Sequence, residues 1–220
     1  MEAKERKAWL RRAVVIAFGV IVMVMGVRWM HGPVTYTASD FDIETYKSPF
    51  DCDEDGVDDQ SDVLASARAY VAQNPHYESA YYATGRPDDG RGVCTDVVDR
   101  ALLGAGYDLQ ALIDEDMRAS PDAYGVGTID SNIDFRRVAN QRVWFERHAK
   151  SLTIDPSEAE QWQGGDIVCW KDHIGVVSDL RNRYGVALVI HHANPLQLRY
   201  EEDVLGNTSW GPIVGHWRMG

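Results

Sequence analysis

The hydrophobic period of this chain changes once, and that change limits what the chain can fold into. In the first 150 residues, apolar side chains recur three and four apart. Val63, Leu64, Ala67, Tyr70 and Val71 predict a helix over 62–73, stopped by Asn74-Pro75. Val97, Val98, Ala101, Leu102 and Ala105 predict a second over 95–105, stopped by Gly104 and Gly106. Further helices are expected over 109–119 and 135–149, the latter rich in arginine and expected to face acidic loops. From Asp166 onward β-branched runs take over, at 166–170, 173–178, 185–192 and 212–218, separated by turn residues. Helices first and a meander of strands afterwards is an α+β arrangement.

Charge divides the chain differently. Residues 1–30 carry a net +4, so the remainder holds −16 of a total of −12. That acidity disfavours nucleic acid as a partner. Residues 1–12 read as a basic cytoplasmic tail, and 13–30 as a transmembrane signal anchor of roughly fifteen to eighteen apolar residues. A cleaved secretory signal is the alternative, but no small-x-small site follows; Arg28-Trp29-Met30-His31 does. Basic residues ahead of the run keep the N-terminus inside. The expected location is the cell membrane, single-pass, with the body extracytoplasmic. Residues 31–50 read as a linker and 63–220 as the main domain.

Cys52, Cys94 and Cys169 are an odd number, so at least one thiol is unpaired within the chain. Cys169 sits in an apolar strand and reads as core. Cys94 ends a glycine- and aspartate-rich loop and opens a helix, where free N–H groups favour a thiolate. His173 begins one predicted strand, and His191-His192 end the next. A hairpin turn centred near Asn182 sets His173 opposite His191; a centre half a residue later sets it opposite His192. Asn194 is a further candidate to orient the imidazole. Cysteine, histidine and polar orienter, in that order, match a papain-like cysteine hydrolase. Asp88, Asp89 and Asp96 flank the cysteine, either to bind an amine or as turn and first-turn residues. A zinc site from Cys94, Cys169, His173 and His191 is a competing reading, though no C-x-x-C supports it.

Residues 51–62 read D-x-D-x-D-G-x-x-D-x-x-D. Asp51, Asp53, Asp55, Asp59 and Asp62 fall at the carboxylate positions of a calcium loop, with Gly56 at the turn and Val57 offering its carbonyl. A terminal Asp in place of Glu makes the loop resemble thrombospondin type 3 or dockerin-type loops. A structural Ca²⁺ is expected there.

The stretches DGRGVCTDVVDRAL, NIDFRRV, GDIVCWKDHIGVVSD, VIHHA and IVGHWR resemble the bacterial family known as domain of unknown function 1287, over roughly 60–220. That family is grouped with the NlpC-like branch of papain-fold cysteine hydrolases. The resemblance implies a papain-like fold with Cys94 as nucleophile, His173 as base and His191 as third member. It also implies hydrolysis of amide bonds in peptidoglycan peptides, with no cofactor for catalysis. The expectation is therefore a membrane-anchored extracellular cysteine hydrolase; the alternative is a non-catalytic envelope-binding or scaffold protein that kept the fold.

Overall fold

The computed structural model describes residues 13–14, 16–20, 23, 34–125, 127–207 and 210–220. It divides into two units, residues 1–35 and 36–220. In the first, residues 13, 14, 16–20 and 23 are helical and exposed. Among the described residues no helix is long and apolar enough to cross a membrane. The basic tail and most of the span expected at 13–30 lie outside the described residues.

The second unit is a mixed α+β body. Among the described residues five α-helices precede most of its sheet: α1 (Asp59–Val71), α2 (Cys94–Leu103), α3 (Leu109–Ala119), α4 (Pro121–Tyr124) and α5 (Val138–His148). Two short parallel strands, β1 (His76–Tyr77) and β2 (Arg91–Gly92), lie between α1 and α2. The remaining strands are β3 (Lys150–Ser151), β4 (Ile167–Trp170), β5 (Ile174–Arg181), β6 (Ala187–Ile190), β7 (Glu201–Glu202) and β8 (Ile213–Arg218). They form one antiparallel sheet in the order β3-β8-β4-β5-β6-β7.

Both faces of this sheet are covered, which explains why its strands read as continuous apolar runs rather than alternating ones. On one face Ile167, Cys169, Ile174, Val176, Ile190 and Trp217 pack against Val97, Val98, Leu102, Ile113 and Phe145 of the helices. On the other, Val168, Trp170, Val177 and Val189 pack against Trp162, Val204 and Leu205 from loops. A fully buried Leu, Ile or Phe contributes about 1.5–3 kcal/mol relative to an exposed one, so these two layers dominate the stability of the body.

Two boundaries differ from expectation for a physical reason. Helix α1 begins at Asp59 rather than Asp62 because the Asp58 carboxylate accepts the N–H of Ser61 and caps it. The arginine-rich segment starts as a 3₁₀ turn, Asp134–Arg136, before α5 proper. Residues 36–50, expected as a linker, instead form a strap bound to the body. Tyr36 and Arg181 exchange two backbone hydrogen bonds of 2.9 and 2.7 Å, Tyr46 N donates to Gln163, and Ile43 is buried.

Candidate active site

The site starts from the first turn of α2. Gly92 approaches Tyr70 so closely that a Cβ there would sit 2.0 Å from its Oη, so a larger residue at the entry to the helix would push the Tyr70 ring aside. Val93 is extended, and its N–H is taken by the Asp96 carboxylate at 2.8 Å. Asp96 is in turn clamped by Arg136 through Nε at 2.6 Å and Nη2 at 3.0 Å, with both side chains only 2% exposed. Arg136 also donates to the Ala80 carbonyl, while Thr95 Oγ1 donates to the Arg136 carbonyl. Asp96 is thus a first-turn helix residue bolted to a distant arginine, and does not face an amine ligand. Asp89 closes its own loop, accepting from Tyr82 and Arg91, and Asp88 is exposed.

This scaffold presents Cys94 as the first residue of α2, 8% exposed. Burial pushes its thiol pKa up to about 11; the N–H groups of Ile174 and Thr95 oppose that shift. Ile174 directly follows His173, so the thiol meets the start of β5. Among the described residues no hydrogen bond joins Cys94 to His173 itself. Cys169 pairs with Ile174 across the ladder, and burial raises its thiol to about 12. All three cysteines are free.

The hairpin register is not the expected one. Val176 pairs with Ile190 and Val177 with Val189, which centres the turn on Arg183. A register shift between Val177 and Arg181 adds to the slip. Continued outward, this pairing sets His191 opposite Gly175, and a Cβ on Gly175 would lie 3.1 Å from His191 Cβ and 2.9 Å from the Ile190 oxygen. His191 is therefore the diagonal neighbour of His173, and the missing side chain at Gly175 leaves room between them. The rings meet edge-on, with His173 Nε2 3.2 Å from His191 Nδ1.

Trp210 covers this pair, its ring 4.4 Å from His173 and 5.2 Å from His191. Burial, then the neighbouring His191 and His192, lowers the His173 pKa to about 3. At neutral pH the Cys94 thiol and the His173 imidazole are therefore both uncharged. His191 Nε2 lies 3.3 Å from Glu202 Oε2. Strand alternation puts His192 with Ile174 and Ile190 on the helix side, the side of Cys94, where its ring meets the edges of Tyr77 and Tyr200, and puts His191 with Val189 on the other face. Its Nδ1 has no partner, and burial pulls its pKa down to about 4. Asn194 is exposed and accepts the N–H of Leu196, so it orients its own loop and no imidazole.

The zinc reading fails on geometry. Among the described residues, the sets of three or more residues whose ligand atoms gather within 4.8 Å of one another come down to Asp51, Asp53 and Asp55, and none includes Cys94, Cys169, His173 or His191.

The acidic loop gathers three of the carboxylates singled out in the sequence, those of Asp51, Asp53 and Asp55. Asp51 accepts the N–H groups of Asp55 and Gly56, and Asp55 accepts that of Val57, with Gly56 at φ +94°. The loop thereby curls its carboxylates inward. Asp62 feels them without entering the group of Asp51, Asp53 and Asp55: desolvation and then Asp55, Asp53 and Asp51 raise its pKa. Asp59 does not join. It is buried and accepts from Cys52 N–H and the Tyr107 hydroxyl, so it belongs to the packing of α1 rather than to the loop.

Arg136, Glu202 and Trp210 escaped the sequence reading. The single local hint was Arg136, inside an arginine-rich segment expected to meet acidic loops. Glu202 sits on a two-residue strand, and no periodicity marks either it or Trp210.

The model of a protein family described as "Domain of unknown function (DUF1287)" matches residues 64–219. A protein of Escherichia coli (strain K12), "Uncharacterized protein YijF", is 42% identical over 169 residues, covering 71% of this chain and 80% of its own length. No solved structure matches.

Proposed function

The chain belongs to the DUF1287 family, and from the site it carries we propose that it is a cysteine hydrolase of NlpC-like, papain-like type that cleaves amide bonds in cell-wall peptides. The observation that supports this is one juxtaposition. Cys94 opens a helix against the residue that follows His173, and the His173 ring is hydrogen-bonded to a second imidazole. In the proposed reaction His173 takes the thiol proton as sulfur attacks the amide carbonyl. N–H groups at the start of α2 stabilise the oxyanion. Collapse expels the amine, which takes the proton back from His173. Water, deprotonated by the same ring, then releases the acyl group from sulfur. Because the resting pair is neutral, proton transfer accompanies attack rather than preceding it.

The proposal extends to the setting. The basic and apolar residues 4–27 favour an uncleaved anchor with the body outside the cell membrane, in reach of peptidoglycan. Asp51, Asp53, Asp55 and Asp62 favour a structural calcium ion beside the start of α1.

The test is incubation of the full-length protein with purified peptidoglycan, followed by mass analysis of the released fragments. Cleavage that disappears in Cys94→Ala and His173→Ala is the expected result. Full cleavage by Cys94→Ala would overturn the mechanism. His192→Ala decides which imidazole is the base: loss of cleavage there, with His173→Ala active, would move the role to the ring on the helix side.

A further inference from the structure

A neutral imidazole carries one N–H and one lone pair, and its partners decide which nitrogen holds the proton. His191 is fully buried, and its Nε2 lies 3.3 Å from Glu202 Oε2 with no aligned hydrogen bond to any group. A carboxylate can only accept. The proton of His191 is therefore favoured on Nε2, facing Glu202, which leaves a lone pair on Nδ1. That lone pair sits 3.2 Å from His173 Nε2, so His173 must supply the N–H there. The lone pair of His173 is then on Nδ1. The opposite arrangement would start with a proton on His191 Nδ1 and end with one on His173 Nδ1, where no thiol proton could be taken.

We propose that Glu202 is a positioning residue that sets the tautomer of His173 through His191. The inference rests on the reading of His173 as the base of a cysteine hydrolase. The structure supports it with a brace. Gln197 Nε2 donates to Glu202 Oε2 at 3.2 Å and to the His191 carbonyl at 3.2 Å, and Gln197 Oε1 accepts the N–H of Ala193 at 2.6 Å. One side chain thus ties the carboxylate to the backbone of the ring it faces. The pairing of β6 with β7 holds the same two segments together, with Val189 opposite Glu202 and Ile190 opposite Glu201. The carboxylate is 37% exposed, so it keeps room to turn into line with Nε2.

The experiment is ¹⁵N NMR of the full-length protein labelled at histidine, which distinguishes the two neutral tautomers, with peptidoglycan cleavage measured in parallel. In the wild type, His173 and His191 should both carry the proton on Nε2. Glu202→Ala and the near-isosteric Glu202→Gln should each move a fraction of both rings to the Nδ1-protonated form. Both should lower kcat about 10-fold or more while leaving KM within about 2-fold. Glu202→Asp should restore part of both readouts. Unchanged ring tautomers in a folded Glu202→Gln protein would overturn the proposal, whatever its activity. If the tautomers shift as expected but the wild type cleaves nothing, the relay stands and the hydrolase reading fails.

Discussion

His216 on β8 and His191 at the end of β6 are both fully buried, and each has a carboxylate within 3.3 Å. Their surroundings differ in how completely the polar groups are matched. His216 uses both nitrogens, Nδ1 at 2.6 Å from the Thr153 oxygen and Nε2 at 3.0 Å from Asp166, and its ring stacks on Trp162 at 3.7 Å. Asp166 is also saturated: it accepts two bonds from Arg218, one from Gln60 and one from the Gln163 N–H. Around His191 the matching stops short. Glu202 is off-line from His191 Nε2, and His192 Nδ1 has no partner. A saturated cluster has no valence left for a reactant and serves to fix the sheet. An unsaturated one keeps buried groups whose missing partner a substrate can supply.

The largest effects should separate the two clusters. Cys94→Ala or His173→Ala should lower cleavage roughly 10⁴-fold or more, with the urea midpoint little changed. Asp166→Ala should do the reverse. It strands Arg218 and His216 in the interior and should remove about 3–5 kcal/mol of unfolding free energy, while the rate per folded molecule holds. A catalytic defect in Asp166→Ala that exceeds its folding defect would erase the distinction.

Arg136→Ala should fall between these. It leaves Asp96 buried without its cation beside the thiol and should cost about 3 kcal/mol of stability. Because the start of α2 loosens, kcat should drop as well; circular dichroism melts read beside turnover will show whether both move.

A pH series sharpens the comparison next. The His173 pKa, about 3 in the folded protein, lies below its ordinary 6.5. Between those values the unfolded chain takes up a proton that the folded one refuses. Stability from this group is therefore complete above pH 6.5 and lost as pH falls towards 3, at about 1.4 kcal/mol per pH unit. His173→Gln should flatten the pH dependence of the urea midpoint by that amount; parallel curves for the two proteins would count against a buried neutral ring. Alkylation should follow the thiols likewise. Exposed Cys52 reacts first, and Cys94, with its pKa raised to about 11, gains about tenfold in rate per unit towards that pH.

The smallest effect concerns the acidic loop. With a dissociation constant of about 10⁻⁴ M, 1 mM calcium should raise Tm by about 4 °C, and chelator should reverse it. Asp53→Ala with Asp55→Ala should abolish the response. Asp59→Asn should lower Tm with or without calcium, since its carboxylate holds Tyr107 and Cys52.

The contrast also marks what the sequence could show. Helix α3 falls over 109–119 as its period predicts, and Cys94 opens α2 because the glycine-rich loop ahead of it cannot continue as helix. The strands at 167–170, 174–181, 187–190 and 213–218 follow from β-branched runs. Strands β1, β2, β3 and β7 are two residues each, too short to carry a period. Register escaped the sequence too: the pairing slips between Val177 and Arg181, and one such slip changes every opposed pair beyond it. Partners such as Asp96 with Arg136, or Asp166 with His216, are forty and fifty residues apart, and nothing local announces them.

The strap has a mechanical side. Any pull on the chain ahead of Tyr36 is carried first by its two backbone bonds to Arg181, the last residue of β5. Beyond them lie the Tyr46 and Ser48 attachments to Gln163 and Asp58. Tension therefore enters β5 at the end away from His173, and the strap must peel from Arg181 and Gln163 before load reaches Ser48 and, through Asp58, the loop at 51–62. A load applied ahead of Tyr36 would thus be met by the strap before it reached the start of α1.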